Sequence, residues 1–478
     1  MFLLKRAPSC LAFSLAALGV AAILRIRAAH NSLWLDEIWS IELVHSVKSP
    51  LEIFSRIHSD SNHYLNSLWL RLVGIRSNGM VYRALSIAAG IGTVALAGLI
   101  GRGRSTSAAV IATGVTGVSY VLVLYASEAR GYATLVFFSF LCFHLLERFL
   151  RTGRTLTAVL FSGSACLGFL SHLTFAGFFF ASLAWAGFRL ARNRQGYRDG
   201  LRVLALCYAL PVALLAVLYA VDLRFLVVNG GATPGLAHCV LESLAWTLGH
   251  PPGITAAASG WAAVAFLIGG LAMLARSEPD SLIFFVGTTA VMPIALVLVS
   301  GSDVLYVRYF ILPIAYCQLV LSFSLASFWE MPGRAGKLAC ALLLFAFVIA
   351  NGRQIRALFA YGRGDNEGAI RLLERGAASE PVTVGGTQDF RIGTVVRFFA
   401  QAEPGGRPLR YFDWDRWPED GVDWLISEKE SYEDPRPPAP AFKGRDGSRY
   451  ELAAVFPTAP LSGLQWFVYR HRRISIAP

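Results

Sequence analysis

A chain of 478 residues with 55% hydrophobic and only 15% charged side chains falls well short of the roughly 25% charge of a soluble domain, and a mean hydropathy of +0.51 excludes an ordinary water-soluble globule. The net charge of +12 invites a nucleic-acid reading, but the basic residues sit in short loops between apolar runs, which excludes that as well. Seven cysteines are scattered singly (Cys10, Cys142, Cys166, Cys207, Cys239, Cys317 and Cys340), with no CxxC pair, so neither a disulfide framework nor a thiolate metal site is indicated.

In chain order, apolar runs of bilayer-spanning length are predicted near 9–25, 84–101, 106–124, 131–147, 155–172, 173–190, 203–221, 257–275, 281–300, 309–328 and 337–351. At about 17–25 residues per span, they make about eleven transmembrane helices. The first run has the basic start and apolar core of a signal peptide. Arg25 and Arg27 follow it without a small-residue cleavage site, so it reads as a retained helix. Spans 155–172 and 173–190 touch, and a tight turn at Ser171 and His172 must separate them. With the N-terminus in the cytoplasm, the cytoplasmic loops hold fifteen Lys and Arg against five Asp and Glu, while the outer pieces up to residue 351 hold ten against nine. That asymmetry fixes the expected orientation.

Two outer loops are long, near 26–83 and 222–256. They contain LWLDEIWSIEL, HYLNSLWLRLVG and LESLAWTLG, apolar stretches whose tryptophans suit helices lying in the membrane interface. Composition shifts after residue 351. The expected division is a transmembrane domain over 1–351 and a small extracytoplasmic α/β domain over 352–478. Within the latter, VTVGG (382–386), DWLIS (423–427), YELAAVF and LQWFVYR read as strands and GTVVRFFAQA as a helix. The expected fold class is an all-α polytopic membrane protein with interfacial helices in its first outer loop and this α/β appendage.

The unusual polar residues map to one membrane face. Asp36 and Glu37 follow the first span, and Asn62 and His63 lie in the same loop. Glu128 and Arg130 lie in the short turn of YASEARGYATL, His172 lies in SHLTF, and Asp303, Arg308 and Tyr309 lie in GSDVLYVRYF. Ionisable groups at the membrane are expensive, and each invites a functional reading. Bland readings stand beside them: Arg130 as a partner of Glu128 or lipid phosphate, His172 as a packing residue, Arg308 as an interfacial anchor, Asn62–His63 as a helix cap. The acid pair is the hardest to dismiss, because acids do not snorkel well.

Two acids, several arginines and a lipid-facing site suit a transferase that uses a lipid-phosphate sugar. An ionised carboxylate can take the proton of an acceptor hydroxyl. Arginines can hold the charge that develops on the departing lipid phosphate.

WLDE after the first helix, NHYLNSLWLRLVG with YRALSIAAG, SEARGYATLVFFSFL, SHLTF and VRYFILP together resemble bacterial membrane glycosyltransferases of the protein O-mannosyltransferase-like superfamily. That superfamily includes the aminoarabinose transferases of lipid A and the core galacturonosyltransferases. The resemblance covers roughly residues 1–330. It implies the GT-C fold, a polyprenyl-phosphate sugar donor, an inverting transfer, and a glycolipid, lipopolysaccharide, cell-wall glycan or protein acceptor. It implies a bacterial cytoplasmic membrane location with the site and the C-terminal domain outside.

Carried over residue by residue, the resemblance makes Asp36 the general base or acceptor-binding acid, with Glu37 in support. Arg308 and Tyr309 match an Arg-Tyr pair before a late helix, and donor phosphate falls to Arg308, Tyr309 and Arg130. Asn62, His63, Glu128 and His172 are expected to support the site or the acceptor. The sequence departs at Gly131 and Tyr64, where many relatives have proline, and Gly131 implies a looser start to the fourth span. A divalent metal at Asp36 and Glu37 is the one cofactor these residues suggest, and without a DxD-like or His-rich cluster none is expected to be required. The rival readings are a polysaccharide polymerase or ligase, a lipid-linked sugar transporter or flippase, and a non-catalytic scaffold.

Overall fold

The computed structural model describes residues 8–75, 78–192, 197–228, 235–300, 305–375, 381–402, 408–430, 437–461 and 463–472. The chain divides into two compact units. The first comprises residues up to 29, 44–74 and 81–355; the second comprises 30–43, 75–80 and 356 onward.

The first unit is a bundle of apolar helices. Each of the eleven predicted runs falls on helix. Among the described residues, eight helices are long and apolar enough to cross a membrane, and Thr106–Val118 and Thr155–Ser171 are apolar but shorter. Helix Pro8–Ala28 turns Leu11, Phe13, Leu15, Val20, Ile23 and Ile26 outward, as a lipid-facing span must. Helix Ile311–Glu330 is equally apolar yet has no outward face: every residue from Ile311 to Ala326 is buried. A helix hydrophobic all round belongs in the interior, and it packs there against Thr106–Val118 and Ala256–Ser277.

The predicted span 106–124 is broken. Thr106–Val118 stops at Ser119, whose extended backbone starts a second short helix, Tyr120–Tyr125. Side chains from three other helices staple the break. The Arg25 guanidinium donates to the carbonyls of Thr116 (3.1 Å) and Gly117 (3.0 Å), which the broken helix leaves without partners. Gln318 donates to Ser119 Oγ at 2.9 Å, and Asn351 Oδ1 accepts the Tyr120 N–H at 2.7 Å. The turn expected at Ser171–His172 is present: helices Thr155–Ser171 and Phe175–Arg192 are joined by three residues.

In the long loop after the first span, helix Tyr64–Val73 buries Tyr64, Asn66, Ser67 and Leu70 and exposes Leu72. Tyr64 stands where proline was expected, and its hydroxyl donates to Asp222 Oδ2. His58 Nδ1 meets the other Asp222 oxygen at 2.5 Å, so the buried acid ties the loop after the first span to the end of helix Tyr197–Val221.

The second unit contains a six-stranded sheet. Its strands are β1 (Val382–Gly386), β2 (Leu409–Phe412), β3 (Trp424–Lys429), β4 (Ala441–Lys443), β5 (Arg449–Phe456) and β6 (Gln465–His471), in the order β2-β1-β3-β6-β5-β4. β1 runs parallel to β2 and β3; β3, β6, β5 and β4 pair antiparallel. Helix Thr394–Ala402 makes the crossover from β1 to β2 that a parallel pair requires. Val422, Leu425, Tyr450, Phe467 and Tyr469 form the core on one face. The four strands expected from the sequence are present, and β2 and β4 were not foreseen.

Candidate functional site

The turn SEARGY, residues 127–132, is held at three consecutive backbone groups by side chains from elsewhere in the first unit. Asn66 Nδ2 donates to the Ala129 carbonyl (2.7 Å), Ser86 Oγ donates to the Arg130 carbonyl (3.1 Å), and the Gly131 N–H donates to His63 Nδ1 (3.1 Å). A short buried turn would otherwise carry unsatisfied polar groups. Here each one fixes the position from which Arg130 and Tyr132 project.

Gly131 is the tightest point. A Cβ built there would lie 2.0 Å from the Ser171 carbonyl oxygen and 2.9 Å from His63 Cβ. Its φ of −76° is ordinary, so the glycine is required for space alone. A proline would add the clash and remove the N–H that His63 accepts. The turn is therefore closed tightly by this glycine, and the looser start expected from the sequence is not found. Gly131→Ala is expected to cost about 1–3 kcal/mol of stability through overpacking, read as a lowered thermal transition of the purified protein. An unchanged transition would show that Ser171 and His63 move aside freely.

Around this turn the structure gathers His63, Arg130, His172, Arg308 and Tyr309. His63 and His172 ring centroids are 4.9 Å apart, and Tyr132 lies 5.3 Å from the first and 5.0 Å from the second. Tyr309 stands 6.2 Å from His172, and Tyr125 stands 5.1 Å from Tyr132. The Arg130 guanidinium lies 5.4 Å from the Tyr132 ring centroid. That of Arg308 lies 4.4 Å from Tyr306 and 5.7 Å from Tyr309. The cage is built where helix Tyr64–Val73 begins, where helix Tyr132–Thr152 begins, where Thr155–Ser171 turns into Phe175–Arg192, and where the turn Val307–Phe310 leads into Ile311–Glu330. Four separate segments thus meet at one end of the bundle.

Burial, and secondarily the Arg308 charge, push the His63 imidazole down to about 3, so it stays neutral at physiological pH. Burial also holds Arg130 below its ordinary value, but a guanidinium remains charged. The cage places two guanidinium groups among neutral rings, a donor type that can bind an anion with several oxygens, with the Glu128 carboxyl buried in the same turn. Asn62 serves the loop: its amide donates to the carbonyls of Ile53 (2.8 Å) and Ile57 (2.9 Å) and accepts from Ser67 Oγ (2.9 Å). Asp303 lies outside the described residues.

Asp36 and Glu37 belong to the second unit. They occupy the first turn of helix Leu35–Ser46, where the helix dipole accommodates negative charge. Glu37 is completely buried, and its Oε2 accepts the Trp34 N–H at 3.3 Å. This is the reach of a third-position glutamate back to the residue that starts its helix. Asp36 is only partly buried, and its backbone carbonyl accepts Ser40 Oγ at 2.8 Å. The pair therefore divides into a capping acid and a more accessible one. Among the described residues, no group of three or more His, Cys, Asp or Glu is arranged to hold a metal ion.

Sequence reasoning did not select Tyr132, Tyr125 and Tyr306 as site residues, nor Asn66 and Ser86 as its supports. The available signal was the polar residue inside an otherwise apolar stretch, as in LNSLWL and RALSIAAG.

No protein-family model and no curated protein matches the chain. Solved structures do. ArnT from Cupriavidus metallidurans in the apo state is similar over 98% of this chain and 99% of its own, at 10% identity and a TM-score of 0.53. The same protein bound to undecaprenyl phosphate covers 98% of each chain at 12% identity and a TM-score of 0.49. The archaeal oligosaccharyltransferase AglB from Archaeoglobus fulgidus, in complex with an inhibitory peptide and a dolichol-phosphate, covers 87% of this chain and 69% of its own at 11% identity and a TM-score of 0.48. The similarity to apo ArnT runs end to end, and with the helical bundle and its C-terminal sheet it establishes that this chain has the GT-C fold.

Proposed function

We propose that the protein is a membrane glycosyltransferase that moves a sugar from a polyprenyl-phosphate donor to an envelope acceptor at the outer face of a bacterial cytoplasmic membrane. The observation that carries this reading is the cage of Arg130 and Arg308 among neutral histidine and tyrosine rings. Two guanidinium groups gathered at the end of a lipid-embedded bundle supply the donors that a lipid phosphate would need. Arg308, with Tyr309 and Arg130, would hold the donor phosphate and take up the charge it gains as the bond to the sugar breaks. Asp36 would accept the proton of the attacking hydroxyl. Glu37, His63, Glu128 and His172 would fix the geometry of these groups. The acceptor would be a glycolipid, lipopolysaccharide, another glycan or a protein, and the N-terminus would be cytoplasmic.

Mass spectrometry of envelope glycans from cells with and without the gene tests the reading. Loss of one hexose, pentose or uronic acid from a defined acceptor is the expected result, and it names donor and acceptor together. Unchanged glycans would overturn it in favour of a transporter or scaffold. Loss of long glycan chains, with the single-sugar products intact, would favour a polymerase or ligase.

A further inference from the structure

The segment carrying Asp36 is locked to the start of the C-terminal domain by a reciprocal pair of hydrogen bonds. Helix Leu35–Ser46 takes its first acceptor from Trp34, whose carbonyl receives the N–H groups of Glu37 and Ile38. The preceding carbonyl, that of the buried Leu33, has no place in the helix. Asn366, itself buried, donates its side-chain amide to that oxygen at 2.9 Å. The exchange also runs the other way. Helix Asn366–Arg375 starts with N–H groups that lack intrahelical partners. Asp365 accepts one of them, from Gly368 at 2.9 Å. Ser32 Oγ accepts another, from Glu367 at 3.4 Å, and donates to Asp365 Oδ1 at 3.3 Å. Each helix start thus completes the other.

Two further contacts hold the same segment. Gly362, in the left-handed region at φ 57°, lets the chain pass so close to Asn31 that an added Cβ would lie 2.9 Å from Asn31 Cβ. The Gly362 carbonyl in turn accepts Ala459 N–H at 2.9 Å, which joins this corner to the region between β5 and β6. One turn beyond Asp36, the Trp39 ring meets Phe390 edge-on, with centroids 5.1 Å apart. The acid helix is therefore gripped at its start and along its side by residues of the C-terminal domain.

We propose that Asn366 is a positioning residue for Asp36, and that the C-terminal domain acts as the cradle of the acid helix. This inference rests on the reading of Asp36 as the proton acceptor. Catalytic groups misplaced by a fraction of an ångström lose much of their effect, so a buried amide that fixes the helix start acts on turnover without touching substrate.

The test uses the full chain in nanodiscs and in cells, with Asn366→Ala compared with wild type. Three readouts are taken: amide hydrogen exchange over residues 33–38, affinity for undecaprenyl phosphate, and the envelope-glycan product in cells at matched expression. Expected are exchange and transfer changed by about tenfold, faster and slower respectively, with lipid-phosphate affinity within about twofold. Phe390→Ala, at an exposed position that does not threaten folding, is expected to shift exchange and transfer in the same directions by smaller factors. Wild-type exchange in both variants, or faster exchange with undiminished transfer, would overturn the proposal. A fully active Asp36→Asn would instead remove the proton-acceptor reading, a failure visible in that variant and absent from the exchange rates.

Discussion

Asp36→Asn is expected to lower sugar transfer by about 10²–10⁴-fold, the usual contribution of a positioned general base, while leaving undecaprenyl phosphate affinity within about twofold of wild type. The substitution keeps the shape of the side chain and removes its capacity to take a proton. Glu37→Gln is its control. Glu37 Oε2 accepts the Trp34 N–H, and a glutamine retains an oxygen for that bond, so the helix start survives and transfer should fall by less than about tenfold. Glu37→Ala removes the bond altogether and is expected to cost about 1 kcal/mol of stability, as helix caps generally do. If Glu37→Gln proves as damaging as Asp36→Asn, the acids share the proton-transfer role. If Asp36→Asn is fully active, the base lies elsewhere. The lipid-phosphate measurement makes the comparison specific, because a variant that merely unfolds would lose both transfer and binding.

The contrast between these neighbouring acids marks where sequence reasoning ends. Successive residues on a helix point about 100° apart, so Asp36 and Glu37 had to meet different surroundings, and nothing local says which of them would be buried. The spans were legible because continuous apolar runs need no tertiary information. Their placement in the bundle was not: Ile311–Glu330 and Pro8–Ala28 read alike as sequence, yet one is enclosed and the other exposes half a dozen large apolar side chains. The break at Ser119 was missed for a related reason. Neither proline nor glycine stands at that position, and the interruption is held by Arg25, Gln318 and Asn351, all remote in sequence. The overlooked strands, β2 and β4, are the two edges of the sheet and have four and three residues. Short edge strands lack the apolar alternation that identifies a central one. For the cage, the motifs supplied Arg130, Arg308, His63 and His172. The central place of Tyr132 came only from four segments meeting.

Arg308→Ala should weaken undecaprenyl phosphate binding by about 10²-fold, the equivalent of losing charge-assisted hydrogen bonds worth about 1.5–3 kcal/mol. Undecaprenyl phosphate is a suitable probe because it lacks the sugar and reports a lipid-phosphate site alone. Arg308→Lys separates charge from shape. It keeps the cation but loses the planar fork and its stacking on Tyr306 and Tyr309, so an intermediate affinity is expected. Arg130→Ala should act in the same direction. If both cations serve one anion, as proposed, the double variant should lose less than the two single losses combined. Removing Arg308 also removes one of the two causes that hold His63 neutral, after burial. Its imidazole should then protonate somewhat more readily, and NMR titration of that ring would detect the change. If Arg308→Ala binds undecaprenyl phosphate as wild type does, the guanidinium is an interfacial anchor and the phosphate is held elsewhere. If binding falls while the His63 titration stays fixed, the arginine acts on the lipid without governing the cage.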